Sequence, residues 1–319
     1  MSIDDLEIAV LVPCYNEEVT IKKVVEDYHR QLPYATIYVY DNNSSDDTAR
    51  VATEAGAIVR KEMQQGKGHV VRRMFSDIDA SVFVLVDGDD TYDATSIRKL
   101  ISTLLDEHVD MVNALRATAS EKAYRFGHQF GNRLLTGIVN WLFGERCADT
   151  LSGYRVFSRR FVKSFPALST GFEIETELTV HTLSLNMPMA EVYTPYKERP
   201  NNSISKLSTY RDGIRILWTI MILTKDYRPI FFYSIISCVM GMISLTLGIP
   251  IVLEFKDTGL VPKFPTAFLS ASIMILACLF LVTGLLLDSV ARGRREVKRM
   301  NYLSLAWIGQ SRRRLTKQA

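Results

Sequence analysis

Apolar and polar positions divide the chain into two parts of different character. Over the first 200 residues, short apolar runs alternate with amphipathic stretches. LEIAVLVP (6–13), ATIYVYD (35–41), AIVRK (57–61) and VFVLVD (82–87) read as strands. Between them, EEVTIKKVVEDYHRQL (17–32) sets Ile21, Val24 and Val25 at helical spacing. SDDTARVATEAG (45–56) reads as a helix whose acidic start suits its dipole and which Gly56 ends, and GHVVRRMFSDI (68–78) as another. This βαβαβ rhythm predicts an α/β domain with a mainly parallel sheet and helices on both faces. Ligands in such sheets bind at the carboxyl ends of the strands. Pro13–Glu17, Asp41–Asn43 and Asp87–Asp90 are therefore expected in one crevice.

Beyond residue 230 the pattern changes. Residues 231–253 and 267–287 contain no charged side chain, and each run exceeds the roughly 20 residues a helix needs to cross a bilayer. Two such runs joined by a short polar link predict a transmembrane hairpin. The flanks are basic: Lys225 and Arg228 before, RGRREVKR (292–299) and RRR (312–314) after. The positive-inside rule then puts both ends in the cytoplasm and the link outside. TYRDGIRILWTIMIL (209–223) is amphipathic and reads as an interfacial helix on the membrane, with a core helix of the soluble domain as the alternative.

Composition narrows the classes. The chain has 319 residues, 47% hydrophobic and 23% charged, which excludes a disordered or fibrous protein. Its net charge of +3 is uneven: from Asp288 onward nine Lys/Arg face two Asp/Glu, so the rest is slightly acidic. A uniformly basic nucleic-acid binder is thereby excluded, while the basic tail is able to meet anionic lipid. The four cysteines are scattered without CxxC spacing, which argues against a disulfide framework or a zinc site and for a reducing compartment. MSIDDLEIAV runs straight into a strand pattern, so no signal peptide is expected.

Candidate chemistry gathers at the strand ends. VFVLVDGDD (82–90) runs a buried strand into three acids. Asp87 and Asp89 can present oxygens to Mg²⁺ or Mn²⁺, which is typically held by one or two carboxylates plus substrate phosphate oxygens. The alternative is a solvated acidic turn capping the helix that begins near Asp93. Asp41 opens DNNSSDDT, a turn suited to left-handed backbone, and can accept from a base or ribose or simply cap the next helix. QQGKGHVVRR (64–73) places two glycines around Lys67 at a helix start, a weak phosphate-cradle signal.

VPCYNEE (12–18), YDNNSSDDT (40–48), GKG (66–68) and DGDD (87–90), in this order, resemble the family-2 glycosyltransferases with a GT-A nucleotide-sugar fold. ADTLSGYRVFSRR (148–160), GFEIETEL (171–178) and KERPNNSISKLSTYRDG (197–213) are similar to the polyprenyl-phosphate branch, the group around dolichyl-phosphate mannose synthase and bacterial polyprenyl-phosphate glucosyltransferases. The resemblance implies a GT-A domain over 1–207, and with the patterns above the expected organisation continues as an interfacial helix over 208–230, two spans (231–253 and 267–287) and a basic cytoplasmic tail over 288–319. It implies that Pro13, Tyr15, Glu17 and Asp41 hold base and ribose, that Lys67 lies near the phosphates, and that Asp87, Gly88 and Asp89 meet the diphosphate, with the metal on Asp87 and Asp89. Arg155, Arg199, Ser205 and Lys206 would bind acceptor phosphate and donor diphosphate. Asn42-Asn43 stands where Asp-Gly is frequent in the family, and Asn201-Asn202 where Glu-Gly is frequent.

An ionised acceptor phosphate attacks without a strong base and needs cations that bring two anions together, for which Arg offers bidentate geometry. The resemblance implies inversion at the anomeric carbon. The expected partners are a nucleotide-sugar, by analogy UDP-glucose or a UDP-N-acetylhexosamine with GDP-mannose kept open, and undecaprenyl or dolichyl phosphate, together with membrane lipids and no nucleic acid. The uncharged spans are also able to pack into a homo-oligomer such as a tetramer. Asp149 is either a donor or acceptor contact or a turn residue; Glu173 and Glu175 are sugar contacts or structural. In 124–144, Phe126, Phe130, Leu134, Ile138, Trp141 and Leu142 form a helical stripe, either core or a lipid guide that leaves Arg133 beside the phosphate. Two other readings are a processive polysaccharide synthase, for which the QxxRW pattern is lacking, and a non-catalytic nucleotide-sugar-binding scaffold, which the altered DNN turn favours.

Overall fold

The computed structural model describes residues 3–118, 147–197 and 221–308, together with 134, 136–141, 143 and 218. The chain forms two compact units, Met1–Gly213 with Lys298–Ala319, and Ile214–Val297.

The first unit is built on a seven-stranded sheet: β1 (Ile8–Cys14), β2 (Thr36–Asp41), β3 (Ile58–Lys61), β4 (Val82–Leu85), β5 (Met111–Thr118), β6 (Arg155–Ser158) and β7 (Met189–Tyr196). Their order is β3-β2-β1-β4-β6-β5-β7. All neighbours are parallel except β6, which runs antiparallel to both β4 and β5. Helices α1 (Ile21–Gln31), α2 (Thr48–Glu54), α3 (Lys67–Asp77), α4 (Ile97–Asp106), α5 (Arg159–Ser164) and α6 (Ile174–Ser184) connect the strands.

Alternation along the central strands feeds two cores. Val10 and Val12 of β1, with Val82 and Val84 of β4, meet Val24, Val25 and Tyr28 of α1 and Leu100 and Leu104 of α4. Ala9, Leu11, Phe83 and Leu85 face the other way, onto Val70, Val71 and Met74 of α3 and Phe157, Phe161 and Leu178. Burial on both faces is why these strands read as continuous apolar runs. Because β1, β2 and β4 are parallel, their carboxyl ends share one edge. The antiparallel β6 begins at that edge, with Arg155 opposite Leu85, and β5 and β7 end there.

The second core holds a buried histidine. His181 of α6 lies edge-on to Phe161 at 5.5 Å and Phe165 at 5.3 Å, with Nε2 3.4 Å from Ser164 Oγ. Burial, helped by the charge of Lys298, pulls its pKa from the ordinary 6.5 down to about 3. The folded protein therefore binds fewer protons than the unfolded chain below pH 6.5. Stability from this group is complete above that pH and is lost as pH falls toward 3. We expect about 2 kcal/mol of loss between pH 7 and pH 5 from this group alone. Thermal unfolding in detergent across that range should show a flatter Tm profile for His181→Gln; an unchanged slope would contradict the assignment.

The second unit contains α7 (Pro229–Thr258) and most of α8 (Phe264–Ser304), both long and apolar enough to cross a membrane. Gly259 ends α7 in the left-handed conformation, φ 66°. The hairpin is stitched by two buried serines: Ser244 Oγ donates to Ser270 O at 2.7 Å, and Ser270 Oγ donates to Ser244 O at 2.9 Å.

Candidate active site

The loops after β1, β2 and β4 are laced together at the shared edge. Asn42 N–H donates to Cys14 O at 2.9 Å, Glu17 N–H to Thr48 Oγ1 at 2.8 Å, and Thr20 Oγ1 to Gly88 O at 2.6 Å. The three expected segments are thus neighbours. Pro13 is half-buried, Tyr15 exposed, and Glu17 and Asp41 buried. Asp41 Oδ1 accepts from Ser44 N–H at 3.2 Å, which is the turn-capping contact.

The departure from the family pattern at Asn42-Asn43 has a structural account. Asn42 donates from Nδ2 to Glu62 O at 3.0 Å and Gln64 O at 2.7 Å, and accepts from Gly66 N–H at 2.7 Å. It ties the β2 turn to the loop that carries Lys67. Asn43 has φ 61°, in the left-handed region that glycine and asparagine tolerate best. Its amide donates to Met63 O at 2.7 Å. Asparagine therefore fulfils the backbone demand that glycine meets elsewhere, so this turn lends no support to a scaffold that has lost its site.

The three acids after β4 have distinct partners. Asp87 Oδ1 accepts from Lys67 Nζ at 2.5 Å, and the same ammonium donates to Glu175 Oε1 at 2.6 Å. Burial pulls the Lys67 pKa down, but the charges of Asp87 and Glu175 more than offset this and raise it, so the lysine is charged. Asp89 is buried and its Oδ1 accepts from Thr91 Oγ1 at 2.6 Å and Thr91 N–H at 3.2 Å. Asp90, at φ 55°, pairs with Lys23 at 2.6 Å on the rim. Gly153 lies against Asp87, where a Cβ would collide with Oδ2.

Among the described residues no cluster of three or more His, Cys, Asp or Glu forms a closed metal site. Asp87 and Asp89 offer hard carboxylate oxygens only, on a turn that already draws the Lys67 ammonium. That donor set fits Mg²⁺ or Mn²⁺ whose shell is completed by diphosphate and water.

Arg155 is a correction to the sequence reading. Its guanidinium is fully buried and donates to Ser152 O, Thr150 O and Thr179 Oγ1, each at 2.9 Å. Burial lowers its pKa, with nearby Cys147, Glu175 and Asp149 opposing. With Nε, Nη1 and Nη2 all engaged in the interior, it braces the 149–152 turn and is not placed to meet an acceptor phosphate. Arg133, Arg199, Ser205 and Lys206 lie outside the described residues, as do Phe126, Phe130 and Leu142 of the 124–144 stripe and most of the 208–230 segment.

A cation that the sequence reading overlooked stands at the same edge. Arg116, near the end of β5, forms a bidentate pair with Asp149, Nε at 2.8 Å and Nη2 at 3.1 Å, and stacks over Tyr196 at 5.6 Å. Tyr196 meets Tyr92 at 5.3 Å, and Tyr92 Oη accepts from Gly153 N–H at 2.9 Å, beside Asp87. Asp149 also caps its own turn, accepting from Leu151 N–H at 2.9 Å. The strand-end rule that found Asp87 applies equally to MVNALRAT, an apolar run that closes on Arg116. Glu173 is the half-buried N-cap of α6, while Glu175 in the first turn is buried.

Residues 9–165 match the family described as Glycosyl transferase family 2. The sequence is 30% identical to glycosyltransferase AglJ of Haloferax volcanii over 298 residues, 93% of this chain and 98% of that protein. It is 29% identical over 214 residues to the dolichyl-phosphate hexose transferase of the same organism, covering 67% of this chain and 91% of the relative. Glucosyl-3-phosphoglycerate synthase from Mycobacterium tuberculosis, solved with Mn²⁺, UDP and glucosyl-3-phosphoglycerate, superimposes with TM-score 0.56 at 24% identity, over 68% of this chain and 80% of that one. At that identity the likeness concerns the fold, which is of the GT-A type.

Proposed function

From the premise that the chain belongs to glycosyl transferase family 2, and so transfers sugar from a nucleotide-sugar, we propose that its acceptor is a polyprenyl phosphate and its product a polyprenyl-phosphate-linked monosaccharide. One juxtaposition carries this reading. A carboxylate turn suited to a metal diphosphate and a guanidinium suited to a second phosphate occupy one sheet edge, in a chain with two membrane-length apolar helices. The similarity to a dolichyl-phosphate hexose transferase supports it.

Pro13, Tyr15, Glu17 and Asp41 would frame the base and ribose, and Lys67, Asp87, Gly88 and Asp89 the diphosphate. Asp87 and Asp89 would hold Mg²⁺ or Mn²⁺, which would neutralise the charge that develops on the leaving nucleotide. Arg116, held by Asp149, would orient the acceptor phosphate, with Arg199 and Lys206 as further cations. That phosphate is ionised at neutral pH, so its oxygen attacks the anomeric carbon directly and inverts it. The basic flanks support a cytoplasmic location for the first unit and both termini. UDP is the favoured nucleotide, with glucose or N-acetylhexosamine as the sugar.

The test is transfer of labelled sugar into an organic-extractable product. Purified protein in detergent meets undecaprenyl or dolichyl phosphate, Mg²⁺ or Mn²⁺, and UDP-glucose, UDP-N-acetylglucosamine or GDP-mannose in turn. Label is expected in the lipid phase with one donor and is expected to vanish with EDTA. Folded protein that labels no lipid with any donor, or that labels it equally in EDTA, would overturn the acceptor or the metal assignment respectively.

A further inference from the structure

Glu175 has no part in the reading above, yet it lies against its centre. Its carboxylate is buried in the first turn of α6 and accepts from Lys67, whose ammonium also donates to Asp87. Two carboxylates thus share one cation. Burial pushes Glu175 upward in pKa, opposed by the Lys67 charge. The backbone around Lys67 is fixed against the segment that leads to Glu175. Gly68 N–H donates to Thr170 O at 3.1 Å, and a Cβ on Gly66 or Gly68 would run into the carbonyls of Thr170 or Ser169. Asp87, backed by Gly153, is likewise confined. The Lys67 ammonium thus bridges two acids carried on segments that are packed closely against one another.

We propose that Lys67 is a resident counter-ion that leaves Asp87 when Asp87 ligates a divalent cation, and that Glu175 is the buried carboxylate that retains it. The proposal rests on the reading of Asp87 as a metal ligand. An ammonium and a divalent cation repel each other strongly at contact distance in a site of low dielectric. Without a second acid, Lys67 would be left with Asp87 as its sole carboxylate and would compete for it. With Glu175 at 2.6 Å, a small movement keeps the ammonium paired while Asp87 turns to the metal. Glu175 is therefore a positioning residue: it acts on the metal site through Lys67.

Mn²⁺ affinity, read from the electron paramagnetic resonance signal of free Mn²⁺ in the presence of UDP, separates the outcomes. Wild type is compared with Glu175→Gln and with Lys67→Met/Glu175→Gln, all checked for cooperative thermal unfolding. Glu175→Gln should weaken Mn²⁺ binding by about tenfold or more, because Lys67 then stays on Asp87. The double variant removes the competitor and should bind Mn²⁺ at least as tightly as wild type. An unchanged Kd in Glu175→Gln, or a double variant as weak as the single one, would overturn the proposal while leaving the metal site standing. Wild type that binds no Mn²⁺ would overturn the metal assignment and this inference with it. Should Glu175→Gln fail to fold, a double variant tenfold weaker than wild type is the overturning result.

Discussion

Asp87→Asn is expected to lower the transfer rate by about 10³-fold, or about 4 kcal/mol in the barrier, with Tm falling by only a few degrees. The substitution keeps the shape of the side chain and removes the charge that would hold the metal and its diphosphate. Structural damage is limited because Glu175 still pairs with Lys67 at 2.6 Å. Asp87 is the cleaner target of the two metal candidates: Asp89 also holds Thr91 through Oδ1, so its loss disturbs the turn itself. Asp90→Asn is the matched control. Its partner Lys23 has a side chain 53% exposed, and surface pairs of this kind contribute about 0–1 kcal/mol. The control should stay within about threefold of wild type. If Asp87→Asn retained a tenth of wild-type turnover, the carboxylate would not be carrying the leaving diphosphate. Single-turnover measurement of label transfer, with both donor and lipid acceptor saturating, decides the matter.

The parts of this site that were legible in the sequence are those set by local pattern. Apolar runs ending in Asp41 and Asp87 marked strand ends, and parallel connection put those ends on one edge. The helical spacing of Ile21, Val24 and Val25 located α1, which begins four residues later than the reading placed it because Glu17–Thr20 forms a turn that caps onto Gly88. What local pattern does not carry is the partner of a charge. Arg155 was expected at the phosphates because the ADTLSGYRVFSRR segment resembles the polyprenyl-phosphate branch. Yet β6 runs antiparallel between β4 and β5, and the guanidinium is buried there against Thr150, Ser152 and Thr179. Arg116 and Asp149 are 33 residues apart, and Lys67 and Glu175 are 108 apart. Neither pairing has a sequence period to betray it. Asn43 was readable in principle, since asparagine is the usual substitute for glycine in left-handed turns.

Asp110→Ala is expected to destabilise the first unit by about 3–5 kcal/mol, which corresponds to a Tm lowered by about 10 °C. Asp110 precedes β5 and is fully buried, and its carboxylate accepts from four donors. Ser158 Oγ lies at 2.6 Å, Arg160 Nε at 2.5 Å, Arg160 Nη2 at 2.7 Å and Tyr302 Oη at 2.6 Å. The guanidinium of Arg160 is flanked by the rings of Tyr302 and Trp307, each 4.8 Å away. Removing the acid leaves a sandwiched cation and a tyrosine hydroxyl without their acceptor, and it is this orphaning that makes the loss large. Tyr302→Phe removes one donor and leaves the Arg160 pair intact, so about 1–3 kcal/mol is expected. The double variant should cost less than the sum of the two, because Tyr302 has nothing to donate to once Asp110 is gone. Asp110 and Tyr302 are 192 residues apart, and Trp307 and Ile308 add to the core behind α4. The residues that follow the apolar hairpin are thus part of the first unit's core, although their sequence reads only as a basic tail. Thermal unfolding of the three variants in detergent, with limited proteolysis after Lys298 as a local readout, separates the two cases. A clasp predicts early cleavage in Asp110→Ala and an intermediate rate in Tyr302→Phe. Equal cleavage in all three would mean that the tail is held by its apolar contacts alone.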